Sequence, residues 1–195
     1  MPHVVILAGP SGSGKSHLAE RLGWTVLRLD DFYYPIDQVG LPVSTLGIPD
    51  WDDVGTWNID AAMSAIEELC RTGRTAVPIY DISVSRATGT REVVLTGDRF
   101  IAEGLFAAVI VAPCQDAGLL SAAICLTRPR LVVFALRLAR DLRESRKPPL
   151  TLVRRGWRLM KDQPRVVAEA VAAGCKPMSP RQAYRQLNSA QQNQA

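Results

Sequence analysis

The sequence predicts an α/β protein of three layers, αβα, with a central, mainly parallel sheet and a small helical lid. Three observations carry this expectation. Short runs of branched apolar residues, suited to burial on both faces, alternate with amphipathic helical patterns, as strands and crossover helices do. A glycine-rich segment joins the first such run to the first helical pattern. Late in the chain, residues 128–158 hold ten Arg and Lys against two acids, whereas the remainder holds thirteen against seventeen. A local basic block of that kind suits an anionic ligand.

The elements follow in order. Residues 3–8, HVVILA, read as a buried strand, and GPSGSGKS leads from it into the helical pattern HLAERL. Residues 24–29, WTVLRL, read as a second strand, which runs into the acids and aromatics of DDFYYP. From 35 to 58 the chain is rich in Pro, Gly and Asp without a period, so an ordered loop is expected. Ile59, Met63, Ile66 and Leu69 form a helical stripe that stops at Gly73. TAVPIYD reads as a short strand and loop. REVVLTGDRFIAEG reads as a hairpin arm, a turn at Gly97–Asp98 and another buried strand, and AAICLT as the next strand. Leu131, Ala135, Leu138 and Leu142 share one face of a helix over 129–146, with arginines elsewhere. Pro148 and Pro149 break it before a further helical region to about residue 173. One domain over 1–187 is expected, with a lid at about 143–158 and a polar, disordered tail at 188–195.

Hydrophobic residues make up 47% and charged residues 22%, enough apolar content for a real core. Cys70, Cys114, Cys125 and Cys175 show no metal-ligand spacing and read as small, reduced apolar fillers. No segment is long enough to span a bilayer, and no signal-peptide pattern opens the chain, so a cytoplasmic protein without a membrane partner is expected.

Gly9-Pro10-Ser11-Gly12-Ser13-Gly14-Lys15-Ser16 matches G-x-x-x-x-G-K-[ST] between a predicted strand and a predicted helix. Glycines there let successive N–H groups turn toward phosphate oxygens, and the helix adds its positive end. The motif therefore predicts a P-loop NTPase fold that binds ATP through Gly9, Ser11, Gly12, Ser13, Gly14, Lys15 and Ser16. Lys15 is expected to reach the β- and γ-phosphates, and the Ser16 hydroxyl to ligate Mg²⁺. A guanine-reading N/T-K-x-D string does not occur, nor does an LSGGQ-like signature of a transport ATPase. A small chain with one P-loop and a basic late helix suits a small-molecule kinase.

GPSGSGKS, DDFYYP, WDDVGTWN, PIYDISVSR, FIAEGLF and LRLARDLRESRKPP occur in that order. In this the chain resembles the uridine/cytidine kinase family over roughly residues 3–165. The resemblance implies an ATP:nucleoside 5′-phosphotransferase acting on a pyrimidine nucleoside. It implies Asp30 as the general base beside the acceptor hydroxyl, a role that suits a carboxylate in phosphoryl transfer. It implies Glu103, with Ser16 and Asp30, around the metal. It implies Asp52 at ribose hydroxyls, Tyr33 and Tyr80 around base or sugar, and Arg137 and Arg140 on the lid helix near phosphate and acceptor. Arg137, with Asp30 and Lys15, completes the expected catalytic set. Trp51 and Trp57 flank the Asp52 loop and are candidates to line the acceptor pocket.

Two departures bear on the acceptor. Where the family carries a base-reading histidine after Pro-x-Tyr-Asp, this chain has Ser83, Val84 and Ser85. The family's Glu-Arg-Gly-Arg lid signature is replaced by Glu144-Ser145-Arg146-Lys147. Two other readings therefore stand beside the first: a P-loop kinase for a different small-molecule alcohol, and an NTP-dependent binding module built on the basic block. Nucleic acid is not the expected partner, because the basic residues lie where a phosphate lid would. A homo-oligomer is compatible with the sequence.

Overall fold

The computed structural model describes residues 2–44, 47–143 and 149–192, with side chains described except at 137–143, 149–159, 161 and 190–192. Five strands form the central sheet: β1 (His3–Ala8), β2 (Thr25–Arg28), β5 (Arg99–Glu103), β6 (Leu120–Leu126) and β7 (Lys176–Met178). Their spatial order is β2-β5-β1-β6-β7, and every neighbouring pair is parallel. The strand carrying the glycine-rich motif is thus central, which explains why all but its first residue are fully buried.

Alternation along β1 divides the core in two. Val4, Ile6 and Ala8 pack toward α2 (Ile59–Thr72) and α3 (Val111–Asp116), with Leu27, Ile66, Leu69 and Phe100. Val5 and Leu7 pack toward α1 (Lys15–Leu22) and α6 (Pro180–Gln192), with Leu18, Ile101 and Leu187. Helices α4 (Arg130–Arg143) and α5 (Pro149–Ala172) flank the proline break. The expected αβα layering with a parallel sheet is the observed one.

Three local expectations need correction. The segment Arg86–Val94 (β4) does not pair with β5; it pairs antiparallel with β3 (Arg74–Asp81) in a separate two-stranded sheet. β5 already has β1 and β2 on its two edges, and β4 is too exposed along its length to enter a core layer. Residues 188–192, expected as a disordered tail, continue helix α6, whose Ala183 and Leu187 are buried against the sheet. β7, a three-residue edge strand, escaped the sequence reading because it is too short to show a period. All four cysteines are buried and unpaired, as expected. Among the described residues no helix is long and apolar enough to cross a membrane.

The chain after β2 is fixed by one buried side chain. Leu29–Phe32 forms a single 3₁₀ turn, and the Trp57 indole N–H donates to the Leu29 carbonyl at 2.7 Å. Trp57 is only 3% exposed, so it is a core residue and not part of a pocket wall as the sequence suggested. Trp57→Phe removes the donor and leaves a void, which should cost about 1–3 kcal/mol. Urea denaturation with an unchanged m-value is the measurement.

Candidate phosphoryl-transfer site

The site assembles where β1, β2 and β5 end on the same edge of the sheet, the edge at which parallel α/β folds bind ligands. Gly9 leaves β1 with φ +126°, and a Cβ there would lie 2.6 Å from the Leu126 carbonyl oxygen. The loop thus needs glycine both for its conformation and for its closeness to β6. Gly14, at φ +100°, begins α1 without a side-chain cap, so the first helical N–H groups are left for a ligand. The Ser13 hydroxyl is fully buried beneath the loop with no partner in the protein. These features fit a bound polyphosphate. The Lys15 ammonium donates to the Gly9 carbonyl at 2.8 Å and more weakly to Pro10 at 3.4 Å, holding the cation at the rim of the loop.

Ser16 donates its hydroxyl proton to the Glu103 carboxylate at 3.1 Å, which brings two of the expected metal-associated residues together. Asp30, the third, accepts the Leu105 N–H at 2.7 Å. Among the described residues no three His, Cys, Asp or Glu could hold a metal by themselves. A hydroxyl and carboxylates that leave the remaining positions to phosphate and water are a donor set that suits Mg²⁺. Asp30 opens to solvent at the cleft, yet close protein packing around its carboxyl raises its pKa above the ordinary value. The Leu105 N–H and the Lys15 charge pull the other way, and the neighbouring Asp31 adds to the rise. Gly104 permits this packing: a Cβ would meet Asp30 Oδ1 at 2.7 Å and the Leu29 Cβ at 2.8 Å.

The two acids of the DDFYYP segment have separate fates. Asp31 pairs with Arg91 of β4 at 3.1 Å and is not among the phosphate-side residues. Likewise Asp53 caps the 3₁₀ turn Val54–Thr56 by accepting the Gly55 N–H at 2.8 Å, whereas Asp52 stays exposed.

Next to Asp30 lies a cluster of rings. Tyr33 is its centre, with ring centroids 5.8 Å from Trp51, 5.7 Å from Tyr80 and 5.9 Å from Phe106. The Tyr33 hydroxyl donates to the Trp51 carbonyl at 3.2 Å, and that of Tyr80 to the Tyr34 carbonyl at 3.3 Å. Burial raises the Tyr33 pKa, and the charges of Asp30 and Asp52 raise it further, which places both carboxylates within electrostatic reach of one ring. A hollow of about 530 Å³ on the other side of this segment, near Ser64, Glu68 and Thr75, includes neither Asp30 nor Lys15 and is separate from the phosphate side.

Sequence reasoning missed two members of this neighbourhood. Phe106, two residues beyond Gly104, closes the ring cluster; its signal was the aromatic that follows Glu-Gly. Arg128, counted in the sequence only as part of the basic block, is half-buried and donates Nε–H to the Ser13 carbonyl at 2.9 Å. Its own carbonyl accepts from the buried Gln163 side chain at 2.8 Å. Arg128 therefore positions the P-loop backbone. Arg137 and Arg140 lie on α4, and their side chains are outside the described residues. Of the expected lid, residues 144–148 are outside the described residues altogether.

Comparison with known proteins can now be set against this geometry. No family model matches the chain. A uridine kinase of Bacillus pumilus is 28% identical over 111 residues, 54% of this chain. The match spans 53% of that relative, so the chain corresponds to about half the length of the curated protein it resembles. A Silicibacter structure described as a fructose transport system kinase superposes with a TM-score of 0.58 at 19% identity, covering 86% of this chain and 85% of that one. The chain is thus similar in sequence to that uridine kinase over about half its length, and similar in fold to that Silicibacter structure. The Ser16–Glu103 contact forms where the central strands of the parallel sheet β2-β5-β1-β6-β7 end.

Two variants check the geometry. Arg128→Ala frees the Ser13 carbonyl and should weaken ATP binding about tenfold, the loss of one charge-assisted hydrogen bond, while leaving acceptor KM unchanged. Equilibrium dialysis and steady-state kinetics measure the two effects. Gly104→Ala should destabilise by about 1–3 kcal/mol, the usual cost of overpacking, and lower activity with it by pushing Asp30 aside. Chemical denaturation and turnover measured on the same preparation test both losses.

Proposed function

We propose that the protein is a Mg²⁺- and ATP-dependent kinase that transfers the γ-phosphate to a hydroxyl of a small-molecule alcohol, with the 5′-hydroxyl of a pyrimidine nucleoside as the preferred acceptor. The observation that supports the reading is that β2 and β5 end side by side, with Asp30 within electrostatic reach of Lys15 and Glu103 in contact with Ser16. The activity of the curated relative supports it.

In this reading the loop N–H groups and Lys15 hold the triphosphate and fix the γ-phosphorus at the sheet edge. Bound Mg²⁺, held by Ser16 with Glu103 and Asp30 nearby, would neutralise charge on the phosphate oxygens. Asp30 accepts a hydrogen bond from the acceptor hydroxyl and takes its proton as the oxygen attacks. The hydrogen bond from Leu105 fixes one carboxylate oxygen and leaves the other for the acceptor. The rings of Tyr33, Tyr80, Trp51 and Phe106 wall the acceptor and keep water from competing for the phosphoryl group. Asp52, exposed beside them, is suited to sugar hydroxyls. Arg137 and Arg140 would approach the phosphates from α4.

A sugar acceptor is the second reading. It is favoured by the turn at Ser83–Ser85, which has no histidine, and by the description of the Silicibacter protein as a fructose transport system kinase. ADP release measured with ATP and a panel of nucleosides, hexoses and sugar phosphates separates the two. The highest kcat/KM on uridine or cytidine supports the nucleoside reading. A sugar in first place overturns that reading and keeps the kinase. ADP release that no acceptor stimulates overturns the kinase itself.

Asp30→Asn should lower kcat by about 10²–10⁴-fold while ATP binding is retained, the range ordinary for losing a general base. The acid limb of the wild-type pH profile should lie above the ordinary aspartate value of about 3.9, because the active form is the deprotonated one and packing raises its pKa. The same shift has a sign for stability. The folded state holds this proton more tightly than the unfolded chain, so the charged carboxylate costs stability above its folded pKa, and the cost is relieved as pH falls through it. Asparagine keeps an acceptor for the Leu105 N–H without the charge. Thermal melts at neutral pH should therefore show the inactive variant melting higher than the wild type.

A further inference from the structure

We propose that the groove between α1 and α6 is a second anion site, which takes a small ligand bearing two or more phosphate groups. Arg21, near the end of α1, and Arg181, Tyr184 and Arg185, on one face of α6, line a hollow of about 280 Å³. The Arg21 guanidinium lies over the Tyr184 ring, 3.9 Å from its centroid.

The charges in this hollow are not explained by the fold. Arg21 has a structural reason: it sits in the last turn of α1, where a cation meets the negative end of the helix. Arg181 has the opposite placement. It lies in the first turn of α6, where the helix end is itself positive. Arg185 follows one turn later on the same face. Helix α6 contains no acid, and among the described residues none of the three arginines pairs with a carboxylate. Three guanidiniums thus converge on this hollow without a carboxylate among the described residues to pair with them.

The chemistry of the ligand follows from these groups. Guanidinium forks match phosphate oxygens in a planar, bidentate way. Stacking on Tyr184 holds Arg21 in place and leaves its N–H edge for a ligand. The hollow is a small open groove between two helices, of a size that suits a compact polyphosphate. It is also distinct from the phosphate loop: α1 runs about 12 Å, eight residues at 1.5 Å each, from Gly14 to this end.

Inorganic tripolyphosphate is the probe, titrated calorimetrically into full-length protein carrying Lys15→Ala to weaken the phosphate loop. One site is expected that weakens with added salt yet survives at about 0.15 M ionic strength. Adding Arg181→Gln and Arg185→Gln should lower the affinity at this site at least about tenfold, with circular dichroism and melting temperature unchanged. Binding unaffected by the two glutamines overturns the proposal, as does binding that vanishes at 0.15 M salt. A ten-nucleotide single strand that binds more tightly than tripolyphosphate, and is lost in the same variant, overturns the small-anion assignment.

Discussion

The site depends on one main-chain hydrogen bond, from Leu105 N–H to the Asp30 carboxylate at 2.7 Å. β2 and β5 are parallel neighbours with Arg28 opposite Glu103, so the two chains leave the sheet side by side. Beyond that register nothing in the sheet dictates where Asp30 points. The amide of Leu105 does so, and Gly104 lets the backbone come close enough for it to act. Glu103, the last residue of the same strand, is in turn bound by Ser16. These two contacts join the ends of β2, β5 and the phosphate loop, although the strands supplying them are far apart in sequence.

The same packing that positions Asp30 makes its charge expensive. Its surroundings raise its pKa, and the ring cluster that begins three residues later adds to the water-excluding side of the cleft. A carboxylate whose proton affinity is raised is a better base for an alcohol than a fully solvated one. The proposed role and the local instability therefore have a common cause.

What could be read from the sequence divides along the range of the interactions. The phosphate loop was legible because its chemistry needs a fixed local spacing and a strand–helix context. Asp30, Glu103, Tyr33 and Tyr80 could be singled out as parts of short strings, and the fold brings Asp30 and Glu103 to one edge of the sheet and Tyr33 to Tyr80. Roles set by distant partners were not. Asp30 and Asp31 are adjacent, as are Asp52 and Asp53, and only the fold shows that Asp31 meets Arg91 and that Asp53 caps its own turn. Arg128 looks like any surface arginine until the end of β6 places it under the loop at Ser13. β4 was assigned to the wrong neighbour because a turn at Gly97–Asp98 suggests pairing with β5, while the sheet edges that decide the matter are occupied by strands far away in sequence.

The β3–β4 turn shows how the acceptor could be recognised without a histidine. Asp81 accepts both the backbone N–H and the hydroxyl of Ser83, at 2.8 and 2.6 Å, and these bonds lower its pKa. The Ser85 carbonyl accepts the Ile36 N–H at 2.9 Å, and Arg86 lies 3.6 Å from Asp37. The polar groups of this turn are thus engaged with one another and with the loop after Tyr34, which braces the turn and draws on the hydrogen-bonding capacity that a base would need. Under the proposed function, recognition would then fall to ring faces and to Asp52. Rings accept flat or apolar surfaces of many shapes, whereas a buried hydrogen-bonding pair rejects a ligand that lacks its partner. Under the proposed function, a site of this composition would hold the acceptor hydroxyl beside Asp30 and favour a flat base by stacking it on these rings.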